Sequence, residues 1–386
     1  MSQSERVAIV DVLDLMAVGQ PLPFHVLDAH ARRLLAEGHV LVSRTQLDML
    51  IARGAWVEKS RVHAVRAEQA GQRSSLVPSS RRTLSLFDHW EQLIWKLDAT
   101  LRLVLAGKPA VQELTALAER VEGLAQRDLN VALFMMVRQH EVRFALYALQ
   151  HALHAATVLL VLGEQLGWQP SQMRLLVLSA LTMNVSTLEL QAQLAQQEDP
   201  PNQRQRRAIA AHPDESVRLL RQAGVSDGAW LQTVAEHHEK PDGSGYPARI
   251  QKICESAHAL RLADVFTAKI SARANRAPMA IQLATRQLFE EEKGSPLAIG
   301  MIKALGLYPP GELVRLASGE VAVVTHRGTA PTKPKVASIT DTDGKPVIQT
   351  RHHDTSDPAF AVVGVFPSPK TLPRIPPERV YGIIPG

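Results

Sequence analysis

Two adjacent histidines, His237 and His238, stand in the stretch HHEKPDGSGYP (237–247), four residues ahead of a turn-forming Asp-Gly-Ser-Gly. Neutral imidazoles are ligands for transition ions near neutral pH, and a rigid turn beside them would hold such an ion in a fixed frame. One helix presents only two ligands on a face, so a metal centre needs donors from several segments. The chain offers His151 and His154, three residues apart, then His212 in HPDESVRLL and Asp264 in RLADVFTAK. Taken singly, each has an ordinary reading: a histidine on an amphipathic helix is more often a satisfied core or boundary residue than a ligand. Alone, 237–247 also reads as a helix ending in a glycine-rich turn.

These residues need helices to position them, and the pattern supplies helices. From 83 to 307, Leu, Val, Phe and Ala recur at three- and four-residue spacing. Helices are expected over 86–107, over a long stretch from Val131 to Leu166 that Gly167 ends, and over 170–195, 203–223, 228–239, 255–275 and 277–292. Residues 1–70 mix strand-like and helix-like pieces. LPFHVLDAHARRLLAEGHVLV (22–42) resembles two strands around a turn, and 43–57 a helix capped by Ser43 and stopped by Gly54. GQRSSLVPSSRR (71–82) has no apolar period and reads as a linker. After Tyr308-Pro309-Pro310-Gly311, residues 308–386 alternate apolar and polar around Ser318-Gly319 and Asp343-Gly344, the pattern of hairpins. His352 and His353 read as solvated loop residues. The expected fold is mainly α, a helical bundle with a small N-terminal α+β region and a C-terminal β-rich module.

Composition narrows the function classes. The net charge of +5 suggests nucleic acid, but the one dense basic run, Gln203-Arg204-Gln205-Arg206-Arg207, is short, and aromatics make up only 4%. Base-stacking platforms have little material, so a solvated face is the expectation and nucleic acid is not. A single cysteine, Cys254, leaves no disulfide framework and fits a reducing cytoplasm. No run of about 18 apolar residues argues for a membrane span.

Order and spacing single out one family. HALHAATVLLVLGEQLGW, AAHPDESVRLL, AEHHEKPDGSGYP, RLADVF and SARANR resemble the HD-GYP branch of the HD superfamily, over roughly 140–310. The resemblance implies an HD-type helical bundle and a phosphodiesterase hydrolysing cyclic di-GMP at a centre of two or three iron or manganese ions. By matching motifs, it assigns His151 and Asp264 to one metal, and His212, His237 and His238 to a second. Arg273 and Arg276 take positions of phosphate-contacting residues, and Asp242, Gly243, Gly245, Tyr246 and Pro247 form the family's loop, implicated in contacts with diguanylate cyclases. His154 matches no ligand position.

The chain also departs from the family. Thr182 and Met183 occupy the positions of the naming His-Asp pair, whose aspartate bridges two metals, and Ser186 that of its lysine. Tyr147 stands where trinuclear members carry glutamate, and Thr267 where a second aspartate is common. The expectation is a protein of bacterial cyclic di-GMP signalling that is catalytically impaired and acts by binding the nucleotide or a protein partner. It would hold one iron or manganese ion at His212, His237 and His238, or none. The alternative is an active phosphodiesterase using that mononuclear site or further ligands such as Glu189 or Asp214. Dimerisation through 83–130 is left open.

Overall fold

The computed structural model describes residues 5–17, 20–29, 31, 33–41, 47, 50–51, 53–71, 84–138, 144–367 and 376–382. Ser43 and residues 72–82 of the expected linker 71–82 lie outside them; Gly71 ends a helix. The chain divides into two compact units, 1–99 and 100–385.

In the first unit, β1 (Arg6–Ala8), β2 (Val26–Leu27), β3 (Arg33–Leu35) and β4 (Trp56–Glu58) form a small antiparallel sheet in the order β1-β4-β2-β3, followed by α1 (Lys59–Gly71). The expected pair of strands over 22–42 is β2 and β3. Phe24, Leu34, Leu35 and Val57 are fully buried, and the Trp56 indole donates to the carbonyl of Asp28 at 2.5 Å. α2 (Leu86–Leu105) begins in this unit and ends in the next.

The second unit is a helical bundle with a sheet. Its helices are α3 (Val111–Arg127), α4 (Leu129–Val137), α5 (Tyr147–Leu166), α6 (Pro170–Thr182), α7 (Leu188–Gln196), α8 (Gln203–Gln222), α9 (Gly228–Glu236), α10 (Glu255–Ile270), α11 (Ile281–Glu291) and α12 (Pro296–Leu305). Local chemistry sets many of their ends. Asp128, Asp227 and Ser295 accept backbone N–H bonds at helix starts, and Asn202 with Gln205 forms a reciprocal capping box. Gly167 ends α5 in the left-handed conformation, φ 68°. α5 is the central element: its residues from His151 to Gly163 are all buried, against α6, α10 and α12.

Strands β5 (Leu313–Leu316), β6 (Val321–His326), β7 (Lys335–Thr340), β8 (Pro346–Asp354) and β9 (Val362–Val365) form an antiparallel sheet ordered β8-β7-β6-β5-β9, with α13 (Pro377–Val380) after it. Val314, Leu316, Val324 and Val336 make its core. Arg327 ties the sheet to the helices through Asn130, the Ala304 carbonyl and Glu164.

Four expectations are corrected. The stretch Val131–Leu166 is not one helix: α4 ends at Val137, and α5 starts at Tyr147 after a 3-10 turn (Phe144–Leu146), the polar run Arg138-Gln139-His140-Glu141 interrupting the apolar period between them. The segment 170–195 breaks at Met183–Asn184 into α6, a 3-10 turn (Val185–Thr187) and α7. There the Ser186 hydroxyl leaves helical company to donate to the carbonyl of His212 at 3.0 Å. α10 stops at Ile270, because Arg273 and Arg276 exchange backbone hydrogen bonds and close a tight turn. His353 is not a solvated loop residue: it pairs with Val336 across β7 and β8 and stacks on Phe360 at 3.8 Å. Among the described residues one stretch, Pro170–Gln196, is long and apolar enough to cross a membrane by composition, but most of its apolar part is buried in the bundle, as a core segment is.

Candidate metal centre

Four segments bring the histidines and aspartate together. α5 carries His151, α8 carries His212, His237 and His238 follow the end of α9, and α10 carries Asp264. The Nδ1 atoms of His212 and His237 lie 2.6 Å from the carbonyls of Ile209 and Val234, each three residues earlier. A carbonyl only accepts, so both Nδ1 atoms carry the proton and both Nε2 atoms are left with lone pairs. Those Nε2 atoms face one another at 3.1 Å. Two lone pairs at that distance repel unless a proton or a cation lies with them. The proton is disfavoured: burial, then the neighbouring His212, pushes His237 down to about 4, and burial lowers His212 as well. His238 packs its ring 4.2 Å from His237, and burial, then His237, holds it well below the usual range. One donor atom from each of the three rings lies within 4.8 Å of the others. Three neutral imidazoles, two of them fixed by hydrogen bonds on their far sides and the third held by ring packing, fit a divalent transition ion with open positions.

His151 and Asp264 are arranged differently. The Nε2 atom of His151 lies 2.6 Å from an Asp264 carboxylate oxygen, so the two satisfy each other. Burial pushes Asp264 upward, but the His151 hydrogen bond and charge, with His238 and His237 behind, more than reverse it. The second Asp264 oxygen is 4.0 Å from His238. Tyr147 stacks on His151 with planes 13° apart, and its hydroxyl accepts two bonds from Arg273, at 2.8 and 3.1 Å. His154 faces the core; burial, then His151, lowers it to about 3.

The segment expected to replace the His-Asp pair does not face this centre with those residues. The Thr182 hydroxyl donates to the Leu178 carbonyl and accepts from the Trp230 indole at 3.0 Å, and Met183 is fully buried. Ser186 bonds to His212 and Ser216 of α8. It is Asn184 that lines the cleft. Glu189 and Asp214 are exposed, Glu189 pairing with Arg102, and neither lines the cleft. Arg273 does line it, whereas the Arg276 guanidinium bonds to the Ala268 carbonyl. The Thr267 hydroxyl donates to the Ala263 carbonyl within its own helix. The cavity is about 170 Å³, walled by His151, His212, His238, Tyr246, Asp264 and Arg273 among others.

The loop after His238 folds over the cluster. Asp242 accepts from the Ser244 N–H, and Tyr246 stacks on His238 at 4.5 Å, ahead of a cis peptide to Pro247. Gly245 must be glycine: a Cβ there would lie 2.5 Å from the backbone of Glu239 and Lys240. Glu239, 1% exposed, accepts from the N–H groups of Ala248 and Arg249 and so fastens the loop's far end. The sequence reading missed Glu239, Asn184 and Gln191. Only Thr187, Leu190, Gln191 and Leu194 left a signal, their helical spacing.

A helical bundle gathering histidines from separate helices around one cleft is the architecture of an HD domain. Residues 115–294 match the family model described as HD domain, and this part of the chain is a domain of the HD-GYP family. The chain is 24% identical over 195 residues to "Cyclic di-GMP phosphodiesterase PA4108" of Pseudomonas aeruginosa, an overlap of 49% of this chain and 47% of that one. It therefore spans about half the length of this curated relative. Among solved structures it resembles Bd1817, described as a HDG"Y"P protein, from Bdellovibrio bacteriovorus. The TM-score is 0.50 at 13% identity, covering 78% of this chain and 97% of that one. That likeness concerns the fold.

Proposed function

We propose that this protein acts in cyclic di-GMP signalling by binding the nucleotide in the cleft beside the GYP loop, with hydrolysis weak or absent. The observation that carries this reading is the burial of Thr182 and Met183, which leaves no bridging carboxylate where the family has one. A second metal would have only His151 and Asp264, and these are engaged with each other. His212, His237 and His238 would hold a single iron or manganese ion. Such an ion, when bound, supplies a positive charge that polarises a phosphate oxygen. Arg273, fixed on Tyr147, offers an anion a second positive group. The relative named as a cyclic di-GMP phosphodiesterase supports the choice of nucleotide.

The exposed tip of the loop, Asp242 and Ser244, would serve a protein partner such as a diguanylate cyclase. The lone Cys254 is in keeping with a cytoplasmic site of action.

The test is turnover. Protein purified without oxygen and supplied with Fe(II) or Mn(II) is incubated with cyclic di-GMP beside a His237→Ala control. The expected result is intact nucleotide in both. A second reading, an active phosphodiesterase with one metal, is favoured by the convergence of the His212 and His237 lone pairs. Turnover that disappears in the control would establish it and overturn the first.

A further inference from the structure

One wall of the cleft has no part so far. It is the face of α7 carrying Leu190, Gln191 and Leu194, preceded by Asn184 and Thr187 in the turn before it. The spacing of these positions, three and four residues, puts them on one side of the helix. Leu190 and Leu194, with Ile209 of α8, make this part of the cleft apolar.

Two carboxamides interrupt that surface. Asn184 is only 7% exposed, and its Oδ1 has no hydrogen-bond partner among the described residues. The Oε1 of Gln191 is likewise buried and without a partner. A buried carbonyl oxygen with no donor destabilises the fold, so native proteins leave few of them, and each asks for an explanation. Both lie in the wall of one cavity, which points to a ligand as the missing partner.

We infer that Asn184 and Gln191 are the specificity residues of this cleft, accepting hydrogen bonds from the donor edge of a purine held between Leu190, Leu194 and Ile209. Two acceptors in an apolar slot suit guanine, whose N1–H and 2-amino group are adjacent donors. The cavity of about 170 Å³ has room for one base. The base would sit on the α7 side, with its phosphate toward Arg273 and the histidines. This inference rests on the nucleotide-binding reading above and specifies which part of the ligand is recognised.

The experiment is calorimetric titration of the metal-loaded full chain with cyclic di-GMP and with its inosine analogue, which lacks the 2-amino group. Metal content is measured on the same samples, with Asn184→Leu and Gln191→Leu as variants. The wild type is expected to prefer cyclic di-GMP at least tenfold. Each substitution should shrink that preference toward parity, with metal content unchanged. Equal affinity of the wild type for both nucleotides overturns the inference without needing a variant to fold. So does a preference that survives in both variants, or loss of metal from Asn184→Leu, which would make that oxygen an ion ligand. Binding without discrimination sinks this inference alone. No binding of either nucleotide sinks the functional reading as well.

Discussion

His212 and His237 point unprotonated Nε2 atoms at each other across 3.1 Å, because each ring's other nitrogen donates to its own chain three residues back. Removing one ring should therefore cost metal affinity far more than fold. His237→Ala is expected to lower Mn(II) affinity by at least about 100-fold, beyond what loss of a supporting partner alone does. Metal analysis after dialysis, with circular dichroism as the control for folding, measures it. Unchanged metal content would place the ion elsewhere.

Metal should also stabilise the wild type. Mn(II) at about 100 times its Kd adds ~2.7 kcal/mol if the folded chain alone binds it. Thermal unfolding with and without Mn(II) tests this, and His237→Ala should show no shift.

Reinstating the family's pair is expected to fail. Thr182→His with Met183→Asp would remove the acceptor of the Trp230 indole and set a carboxylate in a fully buried site. A buried charge without a partner is strongly destabilising, so the double variant should lose roughly 3–5 kcal/mol and gain no turnover. Denaturant unfolding and the turnover assay read the two outcomes. A stable, active double variant would show that Thr182 and Met183 can turn to the cleft.

Gly245→Ala should detach the GYP loop, since the added methyl meets the backbone of Glu239 and Lys240 at 2.5 Å. Amide exchange over 239–249 is expected to rise, with global stability lowered by about 1–3 kcal/mol, the usual cost of overpacking. Unaltered protection in that segment would contradict the close approach.

Glu312 gives a pH dependence of definite sign. Burial raises its carboxyl to about 7, against the one hydrogen bond from Gln282 that lowers it. The folded chain thus holds a proton between about pH 4.5 and 7 that the unfolded chain releases. That contribution is fully present below the unfolded value and is lost as pH rises through the folded one. Glu312→Gln should flatten this decline and stabilise the protein at pH 8 by up to ~3 kcal/mol. Urea unfolding at pH 5 and pH 8 measures the difference.

Helix identity was legible where the signal is local. Gly167 and the apolar spacing of α5 and α8 mark their elements in sequence. The Ser318-Gly319 and Asp343-Gly344 turns marked β5 to β8 in the same way. The histidines were legible through a motif resemblance, since no spacing rule brings residue 151 beside 264. What sequence could not carry depends on partners far along the chain. The break after Thr182 has no glycine or proline to announce it; it is held by Ser186 bonding to His212, 26 residues away. For the same reason Asn184, and not its neighbours, came to face the cleft. His353 looked solvated because its cover, Phe360, comes from the chain after β8.

The hold of Tyr147 on Arg273 bears on how long an occupant stays. A free arginine surrenders rotational freedom each time an anion arrives. Here that freedom is lost once, when the chain folds and the guanidinium settles against the phenol. A cleft so stiffened gains residence time more than arrival rate. Slow release would limit an enzyme that must shed product, and it would suit a receptor that reports how much of its nucleotide the cell contains.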